Sequence, residues 1–240
     1  MDYKEHYRQD ALAFDYFRRE KLTPAEIRRT QFTLSLCQIR PGMRVLDVGS
    51  GRGWFSLAAA KLGAEVTALD LSEENLARIK AEDPSIEAVF GDACAVPELG
   101  KFDLIVALEV IEHLVEPELA LKSFRDRLAP NGTLLLTVPY KEVIRYTLCI
   151  HCNHKTPINA HLHSFDRESL SALLIANGYQ VKAAKRFYHR VLELLRLNRL
   201  TLNLPLGVWK CLDRLCGIFG DRYSHLAIKA GLRTESRSET

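Results

Sequence analysis

Residues 45–54 read VLDVGSGRGW. An apolar run carries one carboxylate, Asp47, and then Gly49, Gly51 and Gly53 fall at alternate positions. Glycine lets a backbone turn tightly and lets a ligand approach with no Cβ in the way. In open α/β sheets, ligands bind beyond the C-terminal ends of strands, near the switch point. The stretch therefore predicts a first strand, a ligand loop and a helix. Its G-x-G-x-G spacing does not reproduce the dinucleotide fingerprint G-x-G-x-x-G, so no pyrophosphate cradle is expected.

The texture around it supports this. Short apolar runs occur at 44–48, 65–70, 86–90, 102–108 and 133–139. They are near-continuous, as strands covered on both faces are. Helix-like segments at 53–62, 73–82 and 117–129 separate them, and such alternation implies a parallel, doubly wound sheet. Thr23-Pro-Ala-Glu26 reads as a capping box, Ser72 and Asp166 as N-caps, and Pro130-Asn131-Gly132 as a turn. Asp70 closes the second run, where it can hydrogen-bond both hydroxyls of a ribose. Asp92 follows the third in GDA, where it can edge an adenine ring. The ligand implied has an adenosine half and a small polar part beside the glycines.

The ordered set D-x-G-x-G-x-G, an acid ending the second strand, GDA, FDLIVALEVIEHL and LAPNGTLLLTVP resembles class I S-adenosylmethionine-dependent methyltransferases over about residues 41–140. That resemblance implies a Rossmann-like α/β fold with a seven-stranded sheet whose last strand is antiparallel. Beside that cofactor core at 41–140, residues 1–40 read as a helical cap, 141–165 as a long substrate loop that can hold a metal and 188–222 as a helical insertion, so one methyltransferase domain over 1–240 is expected. Gly49, Ser50, Gly51 and Gly53 would wrap the methionine part of S-adenosylmethionine, with Asp47 orienting the loop and approaching the amino group. Asp70 would bind the ribose, Asp92 and Ala93 would flank the adenine, and Leu71 and Glu109 would complete the cofactor set.

Methyl transfer is an in-line displacement, so the protein must align the partners and remove a proton from the acceptor. EVIEHL at 109–114 lies on the ligand side of the fourth strand and is similar to a stretch in ubiquinone-pathway O-methyltransferases. It predicts a helical turn that gathers Glu109, Glu112 and His113 on one face. His113 and His161 are the candidate bases. Two metal sets compete. Glu109, Glu112, His113 and His163 would hold a divalent ion such as Mg²⁺, while Cys149, Cys152, His161 and His163 would hold Zn²⁺. The alternative to both is a capping Glu, a wall His and free thiols. His-Leu-His-Ser-Phe at 161–165 also resembles a stretch of small-RNA 2′-O-methyltransferases.

The expected activity is methyl transfer to oxygen on a small molecule. RNA 2′-O-methylation and a non-catalytic S-adenosylmethionine-binding regulator are the alternatives. No interleaved basic and aromatic face argues for nucleic acid. Residues 181–240 carry twelve Lys/Arg against five Asp/Glu, and 188–222 are rich in Leu and Arg. That insertion can serve as a lid, a dimer face or a peripheral membrane contact, and the chain is expected as a monomer or homodimer. No apolar run approaches the ~18 residues of a membrane span, and the polar start MDYKEHYRQD shows no signal peptide. The expected compartment is cytoplasmic. Aromatic residues Tyr3, Tyr7, Phe14, Tyr16 and Phe17 mark the first forty residues as a candidate pocket cover.

Overall fold

The computed structural model describes residues 3–13, 22–194 and 197–233; Phe14, Tyr16, Phe17 and the polar tail at 234–240 lie outside them. Two helices come first, α1 (Tyr3–Ala13) and α2 (Pro24–Cys37). The Thr23 capping box forms as read, with Pro24 opening the helix. Then follow β1 (Arg44–Val48), α3 (Trp54–Lys61), β2 (Glu65–Asp70), α4 (Glu73–Glu82), β3 (Glu87–Phe90), β4 (Phe102–Leu108), a 3-10 turn at Ile111–His113, α5 (Pro117–Arg127) and β5 (Leu128–Pro139).

Residues 140–165 hold a small hairpin, β6 (Tyr146–Leu148) with β7 (Lys155–Pro157). After it come α6 (Arg167–Ala176) and β8 (Tyr179–His189). The helical insertion runs through α7 (Arg190–Leu194), α8 (Asn198–Thr201), α9 (Leu206–Leu215) and a 3-10 turn at Cys216–Phe219 before β9 (Tyr223–Leu232). Arg28 of α2 anchors it. This buried guanidinium donates to the carbonyls of Thr201, Leu202 and Leu204. The insertion also leaves Leu194, Leu200, Leu215, Ile218 and Phe219 exposed. No described helix is long and apolar enough to cross a membrane.

The large sheet has seven strands in the order β3-β2-β1-β4-β5-β9-β8. β1 to β5 pair in parallel, while β9 runs antiparallel to both β5 and β8. Side chains alternate across it. Leu46, Val48, Ile105 and Leu136 join the layer containing Phe124 and Leu170. Val45, Leu104 and Val106 join the opposite layer, with Phe55, Ile79 and Trp209. Both faces being covered explains the near-continuous apolar runs, and each such large side chain contributes roughly 1.5–3 kcal/mol.

One turn reads differently. Pro130-Asn131-Gly132 does not separate helix from strand, because β5 begins at Leu128. Phe102 pairs with Leu128 but Leu104 with Thr133, so residues 129–132 bulge out within the strand. Because β1 sits between β2 and β4, its C-terminal loop opens where the winding reverses, and that is where a ligand fits an open sheet.

Candidate functional site

A cavity of about 1250 Å³ opens over the C-terminal ends of β1, β2 and β4. One side is backbone-built. Gly49 N and Ser50 N both donate to Leu69 O, at 2.8 and 3.1 Å, which ties the glycine loop to β2. Gly51 N donates to one Asp70 carboxylate oxygen at 2.7 Å and Ser72 N to the other at 2.9 Å. Burial pushes Asp70 up, and the N–H groups of Gly51, Ser72 and Leu71 offset only part of that rise. Gly51 has φ +50 and open space where a Cβ would stand. Asp92 accepts from Cys94 N at 3.0 Å. Gly49, Gly51, Asp70, Leu71, Asp92 and Ala93 all line the cavity.

Three of the expected cofactor residues stand behind that wall. Asp47 is buried on the α3 side and accepts from Ser56 Oγ at 2.6 Å, so it does not reach the cavity. Burial, opposed by the Ser56 bond and reinforced by Asp70, pushes it up to about 7. Ser50 is buried, its hydroxyl without a partner among the described residues. Gly53 precedes α3 at φ +71, and a Cβ there would meet Ile79 Cγ1 at 2.5 Å. Asp47 and Gly53 seat the loop from below.

The other side is built from side chains far apart in the chain. The helical turn expected to gather Glu109 with Glu112 and His113 does not form. The 3-10 turn starts only at Ile111, and Glu109 adopts φ +57, a backbone state costly for a non-glycine residue. Its carboxylate turns instead to Thr137 Oγ1 at 2.8 Å and His225 Nδ1 at 3.1 Å. Burial pushes Glu109 up, but His225, Arg29 and Thr137 outweigh it and hold it down to about 2.

His113 lines the cavity. Its Nδ1 lies 2.5 Å from Tyr7 Oη on α1 and 3.3 Å from Ala160 O. Burial, with the neighbouring His161, pushes it down to about 4, so the ring is neutral at pH 7. Behind it, Glu112 is fully buried, and neither carboxylate oxygen has a partner among the described residues. Burial first, then Glu109, pushes Glu112 well up. His161 packs edge-on to His113, with ring centroids 4.6 Å apart, and hydrogen-bonds the Glu142 carboxylate.

Neither four-residue metal set assembles. Donor atoms of Glu112, His113 and His161 lie within 4.8 Å of one another, the one such group found among the described residues. Glu109 lines the cavity but is bound to Thr137 and His225 and does not join that group, and His163 donates through Nε2 to Leu114 O at 2.8 Å. Cys149 and Cys152 sit apart from both histidines, in a tight turn where Cys149 N donates to His154 O and Asn153 N to Cys149 O, each at 2.9 Å. Of the two base candidates, only His113 reaches the cavity wall.

The sequence reading missed Arg29, Glu142 and His225. A histidine inside the apolar strand pattern YSHLAIKAGL was the one local signal among them.

The sequence profile of a family described as a methyltransferase domain matches residues 14–184. A ubiquinone biosynthesis O-methyltransferase from Xanthomonas campestris pv. campestris is 34% identical over 116 residues, covering 46% of this chain and 48% of that protein. The chain thus matches only about half the length of that relative. Among solved structures, an S-adenosylmethionine-dependent methyltransferase from Mesorhizobium loti superposes with a TM-score of 0.58 at 20% identity, covering 83% of this chain and 95% of that one. The cyclase SpnF superposes at 0.61 and 18% identity, covering 87% and 81%. These two likenesses speak for the fold alone.

Proposed function

The chain belongs to the class I S-adenosylmethionine-dependent methyltransferases, and from that premise we propose that it transfers the methyl group to an oxygen atom of a small molecule. One observation carries the reading: a single cavity has the glycine loop with Asp70 and Asp92 on one side and His113 on the other. At about 1250 Å³ it exceeds the ~300–1,000 Å³ of ordinary small-ligand pockets, which leaves room for two ligands.

Asp70 would hold the ribose hydroxyls, Asp92, Ala93 and Leu71 the adenine, and Gly49 and Gly51 the methionine part; Glu109 adds negative charge beside that part. The open space at Gly51 and the spare lone pairs of Asp70 fit such a ligand. When bound, the cofactor supplies a methyl group already activated on a sulfonium. The protein then needs alignment and a base. Nδ1 of His113 faces both Tyr7 Oη and Ala160 O; a proton carried there would be donated to these oxygens, and in that tautomer Nε2 would be the atom that takes the acceptor proton. Oxygen as acceptor rests on the likeness of the Glu112-His113 stretch to the ubiquinone-pathway relatives.

The Glu112, His113 and His161 group favours a second reading, a divalent ion at the acceptor end. Two histidines and a carboxylate suit Zn²⁺, Mn²⁺ or Fe²⁺, and the buried, unpartnered Glu112 carboxylate would gain a counter-charge. Glu142 behind His161 would fix that ring as a carboxylate behind a metal-binding histidine does. Such an ion would polarise the acceptor oxygen.

The test is transfer of label from S-adenosylmethionine to a panel of hydroxylated small molecules and to RNA, with and without chelator and metal add-back. Label on a small molecule is expected. Label only on RNA would replace this reading with 2′-O-methylation of RNA. Cofactor binding with no transfer would make the chain a non-catalytic binder. Unchanged turnover after chelation would remove the ion.

A further inference from the structure

A second cavity, about 370 Å³, opens at the sheet edge formed by β8. Arg167 at the start of α6, Lys185 and Arg186 on β8, and Lys210 and Arg214 on α9 reach its wall, where the one carboxylate is Asp213. That carboxylate is already committed, accepting from Tyr188 N at 3.1 Å and His189 N at 2.6 Å. Arg186 pairs with Asp221 at 2.5 Å. Lys210 donates to Ser35 Oγ at 2.6 Å and lies 5.3 Å from the centre of the Phe32 ring, both uncharged partners, and burial pushes its ammonium down. The side chains of Arg167, Lys185 and Arg214 make no hydrogen bond or ion pair among the described residues.

Cations on an edge strand discourage pairing with other chains, and that accounts for Lys185 and Arg186. It does not account for Arg167 and Arg214 on helices, nor for a half-buried lysine facing the same space. Like charges gathered on one cavity wall repel, and a partly desolvated ammonium without a counter-ion is costly.

We propose that this cavity is an anion site that takes a phosphate group, held by Lys185, Lys210 and Arg214. Guanidinium forks and an ammonium match phosphate oxygens in shape and charge. Phe32, Leu36 and Leu226 give the same cavity apolar wall, so a phosphate carrying an organic substituent fits better than a bare ion. From Arg214, the chain runs straight into Leu215, Ile218 and Phe219, which are 61%, 80% and 61% exposed. Free phosphate esters and the headgroups of anionic phospholipids share the chemistry this site recognises.

The experiment uses the full chain and three probes: phenyl phosphate by calorimetry, and phosphatidylglycerol and phosphatidylcholine vesicles by co-sedimentation near 0.15 M salt. Saturable binding of phenyl phosphate or of phosphatidylglycerol is expected. It should weaken at least about tenfold in the double variant Lys185→Glu/Arg214→Glu, as loss of two charge-assisted contacts predicts. Both positions are exposed, and unchanged S-adenosylhomocysteine binding at the large cavity checks that the variant is folded. Phenyl phosphate alone points to a soluble ester, and phosphatidylglycerol with no phenyl phosphate binding to a lipid headgroup. The proposal is overturned if neither binds, if phosphatidylcholine binds equally well, or if the double variant binds as the native chain does.

Discussion

The two walls of the large cavity are made in different ways. The glycine-loop wall is assembled from β1, β2 and their loops, within about fifty residues of chain, largely by backbone hydrogen bonds to Leu69 and Asp70. The His113 wall draws on α1, the turn after β4, residues 142–161 and β9, and two of its side-chain contacts, Tyr7 with His113 and Glu109 with His225, join residues more than a hundred positions apart. A local, backbone-built wall constrains which ligand fits. A wall of converging side chains can be refitted to another acceptor while the first stays unchanged. That difference accounts for one fold carrying several chemistries.

Breaking each wall separately should give different signatures. The largest effect is expected for His113→Ala, where turnover should fall by roughly 10²–10⁴, the range for a general base, while S-adenosylhomocysteine affinity by calorimetry stays nearly constant. A parallel loss of affinity would mean that the two walls are one unit. Asp70→Ala should do the reverse, weakening S-adenosylhomocysteine by about a hundredfold, as loss of charge-assisted hydrogen bonds predicts. Calorimetry reads that result directly, and native-like affinity would remove Asp70 from the ribose.

The support below the loop gives smaller effects. Asp47 is pushed up to about 7, so between its usual value near 4 and 7 the folded chain holds a proton that the unfolded chain has lost. Its contribution therefore falls as pH rises through that window, by about 1 kcal/mol per pH unit. Asp47→Asn should remove that slope. Denaturant midpoints of both chains between pH 4 and 7 test it, and parallel curves would refute it. Gly53→Ala should cost about 1–3 kcal/mol, because the new Cβ meets Ile79 and the φ of +71 is strained for alanine. Thermal melts with and without S-adenosylhomocysteine show whether the damage stays in the loop support.

The same contrast explains what could be read in advance. The strands, the caps at Thr23, Ser72 and Asp166, and the loop at 49–53 depend on residues within a few positions of each other, and the local pattern carried them. The surroundings of Glu109 could not be read locally, because its backbone is left-handed and its carboxylate meets Thr137 and His225, neither of which is near it in sequence. His161 and His163 looked equivalent at H-x-H spacing. A neighbouring carboxylate, Glu142, and a carbonyl, Leu114 O, separate them in space. Asp47 looked like a ligand residue because strand alternation says which face it takes, but not that Ser56 of α3 already occupies its carboxylate.

The position of β9 has a consequence for synthesis of the chain. β9 is made after β8 yet lies between β5 and β8, and it carries the His225 that seats Glu109. Glu109 and His225 are 116 residues apart, so at about 5–20 residues per second the ribosome separates them by roughly 6–23 s. Over that interval the emerging polypeptide holds every residue of the glycine-loop wall, while the opposite wall still awaits a strand that has not been translated.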